Sequence, residues 1–147
     1  MKIRQATAAD IDTMSMLLGQ LFSIEQDFTP DHMKQRTGLE KLLAMQDAYL
    51  VVAEDEDEVV GMATLQLLIS TAEGGRCGLI EDLVVSESYR GRGIGQALLE
   101  HLIQWADKKG LTRLQLLADR DNQSALAFYK KQGWSTTKLI ALRKITG

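Results

Sequence analysis

Residues 88–95 constrain the fold of this chain more than any other segment. They read Ser-Tyr-Arg-Gly-Arg-Gly-Ile-Gly and lie between an apolar run, residues 79–85, and a helical pattern that begins at Ile94. Glycines let the backbone turn sharply and come close to a ligand. The first turn of a helix offers unpaired amides and the positive end of the helix dipole to an anion. Because Arg90 and Arg92 add positive charge there, the segment predicts a cradle for a phosphate or pyrophosphate.

Two common phosphate-binding loops do not fit this segment. A P-loop would need Gly-Lys followed by serine or threonine, whereas Gly95 is followed by Gln96 and Ala97. The dinucleotide pattern G-x-G-x-x-G fails when it is started from Gly91 or from Gly93. The segment also follows two predicted helices and a hairpin, whereas a dinucleotide fingerprint belongs to a first strand–helix turn.

Hydrophobic periodicity along the rest of the chain predicts a mixed α/β sheet. The predicted strands cover residues 2–6, 48–53, 59–68, 79–85, 111–118 and 136–145. The predicted helices begin at Thr7, at Thr29-Pro30, at Ile94 and at Ser124. In the first of them, Thr7 is the expected cap and Asp10 gives an acidic first turn.

The composition favours a soluble intracellular protein. A hydrophobic fraction of 45% and a charged fraction of 25% in 147 residues are ordinary for one globular domain. A net charge of −3 argues against nucleic-acid binding. The chain has no apolar run of roughly 18 residues and its start lacks the pattern of a signal peptide, so we expect a cytoplasmic protein that does not bind membranes. A single cysteine, Cys77, and two histidines favour a reducing compartment and no metal site.

Three segments together resemble the GNAT superfamily of N-acetyltransferases. The pyrophosphate signature of that family, Q/R-x-x-G-x-G/A, is matched by Arg90, Gly93 and Gly95. Residues 122–134, NQSALAFYKKQGW, match its run N-x-x-A-x-x-F-Y-x-x-x-G-F/W, and residues 79–85, LIEDLVV, resemble its central strand. The earlier part of the chain matches only in the order of its elements.

The resemblance implies a single GNAT domain over residues 1–147, with acetyl-CoA as cosubstrate and no metal. Its α/β fold has a mixed, mostly antiparallel sheet, a central splayed pair of parallel strands and about four flanking helices. A bulge in the central strand would free the backbone of Leu83, Val84 and Val85 to hold the pantetheine arm. The residues expected to hold the pyrophosphate are Arg90, Gly91, Arg92, Gly93, Ile94 and Gly95. Asn122 matches a position that commonly contacts the cofactor, although it suits equally well as a helix cap.

The acceptor amine creates a need for a base. An alkylamine with a pKa of ~10.4 is neutral in only about one molecule in 2,500 at pH 7. A carboxylate near the amine can take the proton, and Glu81 and Asp82 are the candidates. Adjacent strand residues face opposite sides, so at most one of them should enter the cleft. The similar Glu-Asp-apolar sequence of small-amine acetyltransferases favours Glu81, and pairing of either acid with a nearby cation remains an alternative.

Other site residues follow from the resemblance. Tyr129 occupies the position of the tyrosine that protonates the coenzyme A thiolate, although packing against Phe128 would also explain it. The loop between the first two helices often walls the acceptor site. Glu25, Asp27 and Phe28 in that loop, together with Asp82, are therefore candidate substrate-binding residues for a cationic amine; ordinary solvated acids are the alternative.

The leading hypothesis is transfer of an acetyl group from acetyl-CoA to a primary amine of a small molecule, by direct attack in a ternary complex. One alternative is acetylation of a protein N-terminus or lysine, and another is a non-catalytic acyl-CoA-binding module. The presence of both Glu81 and Tyr129 favours an enzyme. The resemblance also implies a homodimer.

Overall fold

A computed structural model describes residues 1–25 and 28–147. These residues form two compact units, Met1–Leu117 and Ala118–Gly147. The first unit holds a five-stranded sheet and three α-helices, and the second holds one α-helix. None of the helices in the described ranges has both the length and the apolar character that a membrane span requires.

The sheet of the first unit is mixed, as the sequence predicts. Its strands are β1 (Lys2–Gln5), β2 (Ala48–Asp55), β3 (Glu58–Ser70), β4 (Gly75–Val85) and β5 (Leu114–Leu116). They lie in the order β1-β2-β3-β4-β5. The first four are antiparallel neighbours, whereas β4 and β5 are parallel. The parallel pair therefore lies at one edge of the described sheet.

The helices are α1 (Ile11–Ile24), α2 (His32–Ala44) and α3 (Ile94–Lys108) in the first unit, and α4 (Gln123–Lys131) in the second. A short 3₁₀ helix, Ala8–Asp10, precedes α1, and the predicted Thr7 is the N-cap of this turn rather than of α1. The Thr7 N–H donates to Asp10 Oδ2 over 2.8 Å. Arg4 donates to both carboxylate oxygens of Asp10, at 2.8 and 2.9 Å, and these bonds hold the pKa of Asp10 below its usual value. Helix α2 begins after the predicted Thr29-Pro30, because the Asp31 carboxylate accepts from the Lys34 N–H and caps the helix.

The two faces of the sheet are covered by different helices. Leu50, Val52 and Met62 form one core cluster with apolar residues of α1 and with Leu39 of α2. Next to Met62, Gly61 faces α3, where an added Cβ would lie 3.2 Å from Leu98 Cδ1. Since adjacent strand residues face opposite sides, α1 and α2 cover one face and α3 covers the other.

Strand β4 contains the bulge that the family resemblance implies. Two of its residues, Asp82 and Leu83, face the single residue Ala63 of β3. Asp82 takes a left-handed backbone conformation with φ of 57°, which aspartate and asparagine tolerate better than most residues. A bulge turns the following side chains relative to the regular alternation, and this determines which acid of β4 faces the helices.

The two parallel strands pair over a short distance. Residues 78–80 of β4 pair with β5, and β4 continues to Val85 beyond this pairing. Strand β5 is accordingly shorter than the predicted strand over residues 111–118.

The predicted last strand, residues 136–145, is wrong, because this part of the second unit has no regular structure. Its apolar side chains are exposed rather than laid on a sheet: Leu139, Ile140, Leu142 and Ile145. A strand needs a paired neighbour, and the apolar pattern of this segment does not supply one.

Candidate active site

The start of α3 has the geometry of an anion cradle. Gly91 and Gly93 have φ of 77° and 80°, a left-handed conformation that glycine adopts without strain. The first hydrogen bond of the helix runs from the Ala97 N–H to the Gly93 carbonyl over 3.1 Å. The amides of the preceding turn therefore point out of the helix, at the positive end of a 15-residue dipole. This arrangement fits a diphosphate.

The two arginines of this loop are held beside the amides. Arg90 Nε donates to the Val85 carbonyl at the end of β4 over 3.0 Å. The Arg92 guanidinium lies 4.9 Å from the centre of the Tyr89 ring. Both side chains are exposed, so their charge stays available to an anion that approaches from solvent.

A cavity of about 270 Å³ lies between α1 and α2, next to the bulge of β4. Its apolar walls are Leu18, Phe22, Phe28, Leu39 and Leu42. Its charged and amide lining residues are Asp31, Lys34, Gln35 and Asp82. Of the two acids of β4, the structure places Asp82 in this lining, whereas Glu81 is exposed.

The surroundings of Asp82 make it a better proton acceptor than an ordinary aspartate. Burial raises its pKa from 3.8 to about 6, and the negative charges of Glu81 and Glu25 act in the same direction. A hydrogen bond from Thr64 Oγ1 to Asp82 Oδ2, 3.2 Å long, opposes this rise. A carboxyl group with a pKa near 6 is ionised at pH 7 and still takes up a proton readily.

The predicted loop residues fall partly on this cavity. Phe28 lines it and lies 5.3 Å from Phe22, measured between ring centres. Glu25 lies close enough for its charge to act on Asp82. Asp27 lies outside the described residues. Phe28 therefore lines the same cavity as Asp82, and the charge of Glu25 acts on the Asp82 carboxylate.

A buried hydrogen-bonded cluster joins the two helices that wall the cavity. Gln35 Nε2 donates to the Ser15 carbonyl over 2.8 Å, and Gln35 Oε1 accepts from the Asp31 N–H over 2.7 Å. Ser15 Oγ lies 2.8 Å from His32 Nδ1. These bonds fix α2 against α1, so the cavity has a rigid frame.

The residues predicted to hold the pantetheine arm lie where β4 approaches the cradle. Val84 is buried in the core cluster, and Leu83 and Val85 are partly buried. Leu83 belongs to the bulge, where the regular ladder of backbone hydrogen bonds is disrupted. Their role toward the pantetheine arm stays a prediction.

The second unit contains the two remaining predicted residues. Asn122 Oδ1 accepts from the Ala125 N–H over 3.0 Å, which is the capping role considered from the sequence. The Tyr129 ring packs edge-on against Phe128 and Trp134, with ring centres 5.3 and 6.2 Å apart. Contacts of Asn122 and Tyr129 with a cofactor stay predictions.

Sequence reasoning did not find most of the cavity. The residues of α1 and α2 that line it have the spacing of ordinary core positions, and only the tertiary packing separates them from the core. One signal was available, because Gly38 lies inside α2, where glycine lowers helix stability. Gly38 lines the cavity, and a Cβ added there would meet no atom within 4 Å.

The fold and this site define a class of α/β protein with an anion cradle at the start of a helix and an acid-lined cavity beside the preceding strand. Residues 18–134 match the sequence profile of the acetyltransferase (GNAT) family. The chain therefore belongs to the GNAT family of acetyltransferases.

Two curated relatives and one solved structure illustrate the similarity. A glucosamine 6-phosphate N-acetyltransferase of Trypanosoma brucei brucei is 39% identical over 77 residues, which are 52% of this chain. The chain spans about half of that relative, since the match covers 50% of it. An aminoalkylphosphonate N-acetyltransferase of Salmonella typhimurium is 28% identical over 133 residues, 90% of this chain and 84% of the relative. The structure of glucosamine-6-phosphate N-acetyltransferase from Arabidopsis thaliana matches this chain with a TM-score of 0.78. The match covers 99% of this chain and 98% of that structure. Because the identity is 23%, this similarity shows the fold alone.

Proposed function

We propose that this protein transfers the acetyl group of acetyl-CoA to a primary amine of a small molecule, by direct attack in a ternary complex. One observation carries the proposal: strand β4 places an acid, Asp82, in the lining of a cavity and then leads into the anion cradle at the start of α3. A donor held by its diphosphate would extend along β4 toward that acid. The two relatives named above carry the names of enzymes that acetylate small amines, which supports a small acceptor.

The acceptor must lose a proton before it can attack. At pH 7, conversion of an alkylammonium ion to the neutral nucleophile costs about 4–5 kcal/mol. In our proposal Asp82 binds the ammonium group and takes this proton, since its raised pKa of about 6 narrows the gap to the amine. The sequence favours Glu81 for the same task, and that assignment remains the competing prediction.

The remaining steps use groups that the sequence identifies. The nitrogen forms a bond to the thioester carbonyl carbon, and the carbon–sulfur bond then breaks. A backbone N–H of the β4 bulge would stabilise the negative charge on the carbonyl oxygen. Tyr129 would give its proton to the departing thiolate. We further propose that the protein is cytoplasmic, which the single cysteine supports. We also propose a homodimer, which the family resemblance supports.

The test compares three proteins by release of coenzyme A thiol and by mass-spectrometric detection of the acetylated amine. With a panel of primary amines, the wild type should form an acetylated amine only when both substrates are present. Asp82→Asn should lower kcat/KM for the amine about 10²–10⁴-fold, while the affinity for acetyl-CoA stays unchanged. Glu81→Gln, which removes the same charge from the adjacent residue, should have a much smaller effect. The reverse ranking of the two variants would transfer the role of base to Glu81, and a wild type that acetylates no amine would refute the proposed function.

A further inference from the structure

The walls of the acceptor cavity are apolar on the sides that would surround the body of a substrate. Five side chains from α1, α2 and the segment between them make these walls, and two of them, Phe22 and Phe28, present aromatic rings. Leu39 is buried, with 1% of its surface exposed. Such walls stabilise an apolar group by removing it from water and give no partners to hydroxyl groups.

Most polar groups of the lining are already engaged within the protein. The Asp31 carboxylate caps α2, and the Gln35 amide bonds to α1 and to the backbone before α2. Lys34 is the single cation among the described lining residues, and it is exposed. The carboxylates of Asp31 and Asp82 outnumber it, so the charge of the lining is negative.

From this arrangement we infer the substrate class: a primary monoamine with a compact apolar body, of the arylalkylamine or branched alkylamine type. The inference rests on the proposed function. The ammonium group would lie on Asp82, and the apolar body would lie between α1 and α2, against the two phenylalanine rings. A volume of about 270 Å³ is slightly below the roughly 300–1,000 Å³ of pockets for drug-sized ligands, which agrees with a small body.

Other amine classes fit this cavity poorly. A phosphorylated amino sugar or an aminoalkylphosphonate brings a dianion to a lining of negative charge, and a sugar adds hydroxyl groups that the walls leave unpaired. A polyamine brings further ammonium groups into a space walled mainly by apolar side chains, where burial of each unpaired charge is costly. A hydrophobic pocket disfavours even one added hydroxyl group by about 10²-fold, and an amino sugar brings several.

The first test measures kcat/KM with acetyl-CoA and four probes: 2-phenylethylamine, isoamylamine, glucosamine 6-phosphate and spermidine. We expect the first two to exceed the last two by about 10²-fold or more. Faster acetylation of glucosamine 6-phosphate or spermidine would overturn the substrate class and leave the proposed function intact. Failure of all four, and of a wider amine panel, would refute both.

The second test narrows the cavity with a helix-compatible change. Gly38→Leu adds a side chain at a lining position whose Cβ has open space, and leucine favours a helix more than glycine does. The KM for 2-phenylethylamine should rise about tenfold or more. The KM for acetyl-CoA should stay unchanged, and the melting temperature should not fall. Thr37→Leu, an exposed neighbour on α2 that does not line the cavity, is the matched control and should leave both KM values unchanged. Equal KM values for the amine in Gly38→Leu and wild type would contradict the placement of the apolar body.

Discussion

Asp82 has a left-handed backbone, a partly buried carboxyl group and a place in the cavity lining. The first two features cost stability, because the backbone leaves its preferred region and the ionised carboxyl loses water. Such costs are usual at active sites, where a residue is held in readiness for a ligand. Substitution of Asp82 should therefore change the stability of the protein as well as its activity.

We expect Asp82→Asn to stabilise the protein at neutral pH. The pKa of Asp82 is raised from 3.8 to about 6 in the folded state, so the folded protein holds this proton more tightly than the unfolded chain. The ionised group thus costs up to about 3 kcal/mol at pH 7, at 1.36 kcal/mol per pKa unit. This cost is absent well below pH 3.8, grows as the pH rises from 3.8 to about 6, and is constant above that range. Asparagine also tolerates the left-handed backbone and still accepts the Thr64 hydrogen bond.

Urea unfolding of both proteins from pH 4 to pH 8 measures this difference. The free energy of unfolding of Asp82→Asn should rise above that of the wild type as the pH increases, and the two values should be close near pH 4. Glu81→Gln serves as the control, because it removes a charge from an exposed residue of the same strand. An Asp82→Asn variant that is less stable than the wild type at pH 8 would show that the carboxylate is well solvated or paired, against our account.

The sequence predicted the acidic pair on β4 and the rule that only one member enters the cleft. The family resemblance favours Glu81, but strand alternation does not determine which member enters, because the bulge interrupts the alternation at Asp82 and Leu83. The bulge depends on the pairing of β4 with β3 and on the φ of Asp82, and neither can be read from the order of residues. The exposed Glu81 and the cavity-lining Asp82 are the result.

In the proposed function, cofactor binding depends on helix α3. It begins after Gly93 and ends before Gly110, and both glycines are left-handed, with φ of 80° and 75°. An alanine at either position would suffer the same backbone strain, about 1–2 kcal/mol. Only the first position lies beside the amides that form the cradle. The two ends of one helix thus allow stability and binding to be separated.

We expect Gly93→Ala to weaken coenzyme A binding about tenfold or more, equivalent to about 1.4 kcal/mol, because relief of the strain moves the amides of the first turn. Gly110→Ala is the matched control: it should lose similar stability and keep its affinity. Isothermal titration with coenzyme A, together with thermal unfolding of both variants, checks this. If both variants bind as tightly as the wild type, the cradle is not the diphosphate site.

The elements with strong local signals were predicted best. Helix α3 has its apolar residues at helical spacing and Gly110 after its end, and the structure agrees closely with that prediction. The start of α2 was misplaced, because Asp31 outcompetes Thr29 as the cap through its bond to the Lys34 N–H. Residues 136–145 were misread as a strand, because strand formation depends on a neighbouring edge rather than on local pattern.

At the scale of the molecule, the proposed function joins three parts of the first unit: the cradle, strand β4 and the cavity between α1 and α2. Strand β4 connects them, since its bulge brings Asp82 into the cavity lining and its end leads to the cradle. The cavity was not visible in the sequence because α1 and α2 meet through tertiary contacts, such as the bond from Gln35 to the Ser15 carbonyl. Asn122 and Tyr129 belong to the second unit, and their roles rest on the family resemblance.

The central claim is that Asp82 takes the proton of the acceptor amine. The dependence of kcat/KM on pH, measured for an accepted amine in wild type and Asp82→Asn, tests it most directly. Since the ionised carboxylate is the active form, the wild-type value should fall about tenfold per pH unit below an apparent pKa of about 6 and level off above it. Asp82→Asn should lose most of its activity, and the acidic limb of its profile, the fall below pH 6, should be absent. A wild-type profile with no limb near pH 6, or an Asp82→Asn profile that retains it, would contradict the account.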